Sequence, residues 1–195
     1  MSFAITPAIP TGALSASVQP SLPASGSDVL LRPWEANDAP ALLRAFQDPS
    51  IQYWHTHHVT SREEAQEWIV ASHRSWQLEQ AAQWAITLAD GGEVLGRIAL
   101  RWMDLLHGLA ECAYWVLPNA RGMGLAPRAL AVLAHWALSE AGFRRLELAH
   151  AVGNEASCRV ATKAGFVLEG TRRSAHLQSD GWHDMHLHAR LQRGT

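Results

Sequence analysis

Hydrophobic positions along this chain follow two rhythms, and the changes of rhythm mark its elements. An apolar run from Val29 to Arg32 predicts a first strand. Leu42, Leu43 and Phe46 then recur at helical spacing behind Asn37 or Asp38, either of which can cap a helix to about Gln47. Asp48-Pro49 closes that helix, and residues 51–60 read as irregular, dense in aromatic and imidazole groups. Ser61-Arg-Glu-Glu64 has the form of a capping box, with Ala65, Trp68, Ile69, Ser72 and Trp76 as the buried face of a helix to about Glu79. Strands are predicted at 83–89 and 94–102, joined by a hairpin turn at Gly91-Gly92. In the second of them, Ile98, Leu100 and Trp102 share one face, and Arg97 and Arg101 the other.

The next stretch organises the rest. Residues 110–117 form a short run rich in apolar, aromatic and β-branched side chains, a buried strand that Pro118-Asn119 breaks. A glycine-containing loop, Arg121 to Ala126, leads into a helical pattern from near Pro127 to Glu140, with Gly142 as its terminator. Further elements are a strand at 145–152, a short helix from Asn154 to near Gly165, and two last strands at 166–177 and 183–191 around Asp180-Gly181. Helices separated by strands indicate an α/β (α+β) architecture with a mixed sheet. Residues 1–27, rich in Ala, Ser, Pro and Thr, read as a poorly ordered tail before a single domain at 28–195.

Strand, glycine loop and helix together make an anion site. The first N–H groups of a helix are unpaired at the positive end of its dipole, and glycines let the backbone approach a phosphate closely. Arg121 adds a cation at the loop mouth. The competing reading is a plain turn into a helix; neither common phosphate-loop motif is complete here.

Composition narrows the partners. The chain has 195 residues, enough for one domain, and a net charge of −2, which argues against a nucleic-acid surface. Its two cysteines suit a reducing cytosol, so a cytoplasmic protein is expected, with Cys112 as a small core residue. No segment approaches the ~20 apolar residues of a membrane span.

Two blocks resemble a known family. Arg121-x-x-Gly124-x-Ala126 resembles the Arg/Gln-x-x-Gly-x-Gly/Ala signature of the GNAT superfamily of acetyl-CoA-dependent N-acetyltransferases. Asn154-Glu-Ala-Ser157-x-x-Val-Ala-x-Lys-Ala-Gly165-Phe166 resembles its RimJ/RimL-like branch, the ribosomal-protein alanine N-acetyltransferases, as do Leu31-Arg32-Pro33-Trp34 and Asp48-Pro49. The resemblance covers about residues 28–192. It implies the GNAT fold: a mostly antiparallel sheet of about seven strands with a central, splayed parallel pair and about four helices. It implies acetyl-CoA as donor, no metal, and a primary amine as acceptor on a peptide N-terminus or a small molecule. Arg121, Gly122, Met123, Gly124, Leu125 and Ala126 would then hold the pyrophosphate, and the strand at Tyr114, Trp115 and Val116 would pair with the pantetheine arm. Family habit and exposed Trp-rich edges make a homodimer an expectation.

Acyl transfer needs a neutral amine, a polarised thioester and a stabilised thiolate. Glu111, where the family often places an acid, is the first candidate base, against a glutamate simply paired with an arginine. His150, at the end of the partner strand, is the second, against a polar residue satisfied at a strand end. Asn154 is a pantetheine contact by resemblance and a helix N-cap by pattern. Ser157 lies near the leaving sulfur by resemblance. The family's usual tyrosine acid is missing at Val160 and Ala161, and Tyr114 is an unpromising substitute inside a buried strand. Tyr53, Trp54, His55 and Trp182 are candidates for an acceptor pocket. An acyl group such as succinyl would look to Arg97 or Arg101. His186 and His188 share a strand face with Asp184 and Arg190, but a zinc site needs three protein ligands, so the polar face of a strand is the preferred reading.

Overall fold

The computed structural model describes residues 5–24, 28–54, 59–89 and 92–192. Eight strands form one sheet: β1 (Leu22–Pro23), β2 (Val29–Pro33), β3 (Ala82–Leu88), β4 (Gly96–Asp104), β5 (Leu109–Val116), β6 (Arg145–Ala151), β7 (Val167–Gln178) and β8 (Gly181–Leu191). Their spatial order is β1-β2-β3-β4-β5-β6-β8-β7. Every neighbouring pair is antiparallel except β5 and β6, which run parallel. Helices α1 (Ala39–Gln47), α2 (Pro49–Trp54) and α3 (Arg62–Gln77) precede β3, α4 (Leu125–Ser139) follows β5, and α5 (Glu155–Lys163) follows β6.

The alternation of side chains sorts two cores onto the two faces of the sheet. Ile98, Leu100, Cys112, Leu146 and Leu148 pack under α4 and α5 with Leu130, Leu133 and Ala161. Ala85, Trp115 and Leu117 pack with Trp34, Leu42, Phe46, Ile51 and Ile69 of the α1–α3 layer. Most tryptophans are interior: Trp34, Trp76, Trp84, Trp115 and Trp136 are buried, and the expected Trp-rich edge reduces to Trp102 and Trp182.

Several expectations need correction. Residues 51–54, read as irregular, complete α2, because Pro49 opens a new helix instead of only ending the previous one. Trp102 does not share the face of Ile98 and Leu100. A register shift after Arg101 and a positive φ of 48° at Trp102 turn it into solvent, with the Arg101 guanidinium 4.6 Å over its ring.

The largest correction concerns the N-terminus. Residues 5–24 are not a loose tail. Ile9, Leu14 and Leu22 are buried in the α4-side core, and β1 pairs with β2. The Trp76 and Trp84 indoles donate to the Ser17 and Pro20 carbonyls at 3.1 and 2.7 Å. The buried carboxylate of Glu79 accepts N–H bonds from Gly12, Leu14 and Ser15 at 2.6, 2.8 and 3.0 Å. Glu79 follows α3 in a Schellman turn, with its N–H on Trp76 and the Gln80 N–H on Ser75. Its φ of 55° is one that glycine usually supplies.

Burial pushes the Glu79 carboxyl up, but the Gly12, Ser15 and Leu14 donors outweigh it and hold the group below its ordinary range. A depressed carboxyl contributes stability that is complete above its unfolded pKa, near ~4.3, and fades as pH falls through the folded value. Glu79→Ala strands these donors, at roughly 2–3 kcal/mol, and is expected to lower Tm by about 5–10 °C at pH 7. Thermal melts across pH should show the gap to wild type closing below about pH 4.

Candidate active site

β5 and β6 pair only from Leu109, Ala110 and Glu111 to Arg145, Leu146 and Glu147, and then separate. Beyond that point β6 pairs with β8 and β5 with β4, which leaves the other edge of residues 112–116 without a strand partner. A cleft of about 520 Å³ opens there, lined along the strand by Tyr114, Trp115 and Val116. That is room for a sizeable ligand.

One wall is the loop between β5 and α4. Gly122 and Gly124 both take positive φ, 80° and 70°, and a Cβ on either would meet only open space. Gly124 is the residue before the first turn of α4, and no side chain caps it. The Leu125 side chain is buried in the core and Met123 is exposed, so the loop presents backbone to the cleft. The strand, loop and helix stand in the order that the pattern predicts, with the loop backbone at the positive end of a 15-residue helix.

Arg121 lines the cleft at the loop mouth and is anchored there. Its Nη2 donates to Asp48 Oδ1 at 2.7 Å and its Nε to the Val116 carbonyl at 3.2 Å. It latches the loop to the α1–α2 junction. The cations on the opposite wall are Arg159 and Lys163, which sequence reading missed. Ala156, Val160 and Lys163 repeat at helical spacing, a stripe beside the buried one at Ser157, Ala161 and Ala164. Arg159 and Lys163, four residues apart on one side of the same helix, were the available signal.

Asn154 is the helix N-cap that its position in the pattern predicts. Its Oδ1 accepts the Ser157 N–H at 3.1 Å as the α5 N-cap, and the residue lines the cleft. Ser157 is buried in the first turn of α5 with its hydroxyl 2.8 Å from the Tyr114 phenol. Tyr114 therefore reaches the cleft after all: the splay of β5 from β6 opens the space that continuous pairing would have closed. Burial pushes its pKa up to about 12, against a small opposing pull from Ser157.

Glu111 lies where the strands part, on the sheet face opposite Tyr114 and on the same face as Trp115. It is buried and ion-paired with Arg101, the pairing its plainer reading foresaw. His150 is brought to neither wall of the cleft. Its ring lies beneath α5, with Nδ1 2.8 Å from the Ala151 carbonyl and Nε2 3.2 Å from His188 Nε2. Burial holds it below its ordinary range.

Trp54 lines the cleft from the α1–α3 side. Tyr53 donates to Asp180 Oδ2 at 2.7 Å and stands edge-on to Trp54, while His183 Nε2 meets Asp180 Oδ1 at 2.7 Å. The end of α2 and the β7–β8 turn thus meet through Asp180. Trp182 points to solvent, 65% exposed. His55 lies outside the described residues.

Known proteins carry the same architecture. The chain is 32% identical over 99 residues to a ribosomal-protein-serine acetyltransferase of Escherichia coli (strain K12), covering 51% of this chain and about half, 55%, of that protein. It is 25% identical over 162 residues to the uncharacterized N-acetyltransferase YoaA of Bacillus subtilis (strain 168), covering 83% and 92%. Among solved structures, the ribosomal L7/L12 alpha-N-protein acetyltransferase RimL in complex with coenzyme A has a TM-score of 0.80 at 24% identity, over 90% of this chain and all of that one. The microcin C7 self-immunity acetyltransferase MccE with acetyl-CoA and AMP also reaches 0.80, at 20% identity, over 90% and 99%. The family profile described as "Acetyltransferase (GNAT) domain" matches residues 28–167, so the chain belongs to the GNAT acetyltransferase family.

Proposed function

We propose that this chain transfers the acetyl group of acetyl-CoA to a primary amine, with the N-terminal α-amine of a protein as its acceptor. The observation that carries the reading is the parted β5–β6 pair, with Tyr114 of β5 bonded to Ser157 of α5 in a cleft that the glycine loop also lines. The coenzyme phosphates suit that loop, Arg159 and Lys163, and the pantetheine amides suit Asn154 and the edge of β5 that lacks a strand partner. The amine nitrogen attacks the thioester carbonyl carbon, the carbon–sulfur bond then breaks, and the sulfur leaves as thiolate. Tyr114, at about 12, keeps its proton, so it donates to Ser157 and leaves the Ser157 hydroxyl hydrogen to donate to the thiolate. Glu111, across the sheet, takes the proton that the nitrogen loses. His150 is left out of this scheme because its ring lies beneath α5 with Nδ1 against the Ala151 carbonyl and Nε2 against His188.

The relatives described as ribosomal-protein acetyltransferases favour a peptide α-amine, and so does chemistry: its pKa near ~7.7–8.0 leaves about a tenth or more neutral at pH 7, far more than a lysine. Acetyl is favoured over succinyl. The Arg97 guanidinium is fully enclosed, donating to Gln83 Oε1 at 2.6 Å and standing 5.6 Å from the Trp68 ring centre, and Arg101 is occupied by Glu111. Two free cysteines accord with a reducing, cytoplasmic setting. An acyl-CoA sensor would have no use for Glu111 and the Tyr114–Ser157 pair together.

The test is mass spectrometry of N-terminal Ser and Ala peptides, each with an internal lysine, incubated with protein and acetyl-CoA or succinyl-CoA. Acetylation at the α-amine is expected. Binding of acetyl-CoA with no product on any amine would favour the sensor. Ser157→Ala is expected to lower kcat about ten- to hundredfold, as loss of one charge-assisted hydrogen bond does, while the acetyl-CoA Kd stays within about threefold.

A further inference from the structure

β6 and β8 gather three imidazoles beneath α5. Antiparallel register sets His150 opposite His186 and Leu148 opposite His188, so the three rings occupy one face of two adjacent strands. The helix α5 covers that face and supplies Cys158, the neighbour of Ser157. One ligand atom from each of His150, Cys158, His186 and His188 lies within 4.8 Å of all the others. The third and fourth ligands that the His186-His188 pair lacks in the sequence come from a different strand and a different helix.

Three details go beyond proximity. His150 Nδ1 faces the Ala151 carbonyl at 2.8 Å, and a carbonyl only accepts, so Nδ1 carries the hydrogen and Nε2 presents its lone pair. A ring hydrogen-bonded to a backbone carbonyl through one nitrogen is how a metal-ligating histidine is oriented. His150 Nε2 and His188 Nε2 are 3.2 Å apart. Two nitrogens at ~2.0–2.1 Å from a tetrahedral zinc stand about 3.3 Å from each other. Finally, His186 Nδ1 is closed off from solvent with no hydrogen-bond partner. A purely hydrogen-bonded histidine cluster would leave that nitrogen orphaned and would have no need of the thiol.

We propose that His150, His186, His188 and Cys158 bind one zinc ion in a tetrahedral site of three nitrogens and one sulfur. Imidazole with thiolate is a donor set suited to zinc, and four protein ligands make a closed, structural site with no part in the acyl transfer. Binding releases the Cys158 thiol proton to solvent. The ion staples α5 to β6 and β8. It thereby fixes the helix turn that carries Asn154 and Ser157 against the strand pair that forms the cleft.

Cobalt(II) titration of the chelator-stripped full chain tests this. One equivalent of Co²⁺ should bind with the intense visible bands of a tetrahedral ion and a thiolate-to-cobalt charge-transfer band, both removed by added Zn²⁺. Cys158→Ser should lose the charge-transfer band. His186→Ala should weaken binding about a hundredfold or more. Both variants should retain the far-ultraviolet circular dichroism of the wild type. Absence of stoichiometric binding, binding without a thiolate band, or a Cys158→Ser/His186→Ala double variant that binds as tightly as wild type would each overturn the site. The wild-type spectrum decides the matter alone if a variant fails to fold.

Discussion

Gly124→Val should raise the Kd for acetyl-CoA about a hundredfold or more while leaving the fold intact. Gly124 sits at φ 70°, the left-handed region that a β-branched residue enters only at a cost of about 1–3 kcal/mol. The space beyond it is open, since no protein atom lies within 4 Å of a Cβ built there. A valine would therefore meet no protein neighbour, only whatever occupies the cleft. Strain relief would rotate the peptide groups leading into α4 and turn the N–H groups of Leu125 and Ala126 away from the phosphates, so the loss adds to the steric intrusion. Gly124→Ala should show the same direction at about a tenth of the effect. Calorimetric titration with acetyl-CoA separates the cases, with thermal melts as the control for folding. An unchanged Kd in the valine variant would remove the loop from the coenzyme site.

The same loop shows what a sequence reveals of such a site. Strand, glycines and helix are consecutive, so the residues from Tyr114 to Ala126 were legible together, as was Asn154 capping α5. What escaped depends on contacts made across the chain. Residues 5–24 have a tail's composition and no periodicity. They are held by Glu79, more than sixty positions away, and by indoles whose partners are backbone carbonyls. Tyr114 reads as interior from its alternation, which is correct for the strand. Only the parting of β6 from β5 gives its hydroxyl a partner on α5. Arg121 is a cation in sequence and a latch in space, because Asp48 reaches it from the end of α1. The histidines of β8 lacked a third ligand in sequence because His150 and Cys158 lie on elements that the topology alone brings beside them.

Glu111→Gln should lower kcat/KM for a peptide amine about a hundred- to a thousandfold at pH 7, within the span that general-base catalysis covers. Part of that effect has a ceiling. An α-amine near ~7.7–8.0 is already about a tenth neutral at pH 7, so supplying neutral amine can account for no more than roughly tenfold. The rest must come from removing the proton as the nitrogen bonds to carbon and becomes cationic. The two parts separate with pH. Without the carboxylate, the variant depends on solvent to deprotonate the amine, so its deficit should shrink by about tenfold between pH 7 and pH 9. A structural role predicts another pattern. Glu111 is ion-paired with Arg101, whose side chain is 39% exposed, so solvent can compensate that guanidinium when the carboxylate is lost. If Glu111 mattered only as Arg101's partner, the variant would lose thermal stability and acetyl-CoA affinity with a deficit independent of pH. Full pH profiles of kcat/KM for both enzymes, with acetyl-CoA saturating, distinguish the two. A parallel pair of profiles would assign the base to water and leave Glu111 as the anchor that seats Arg101 where the strands part.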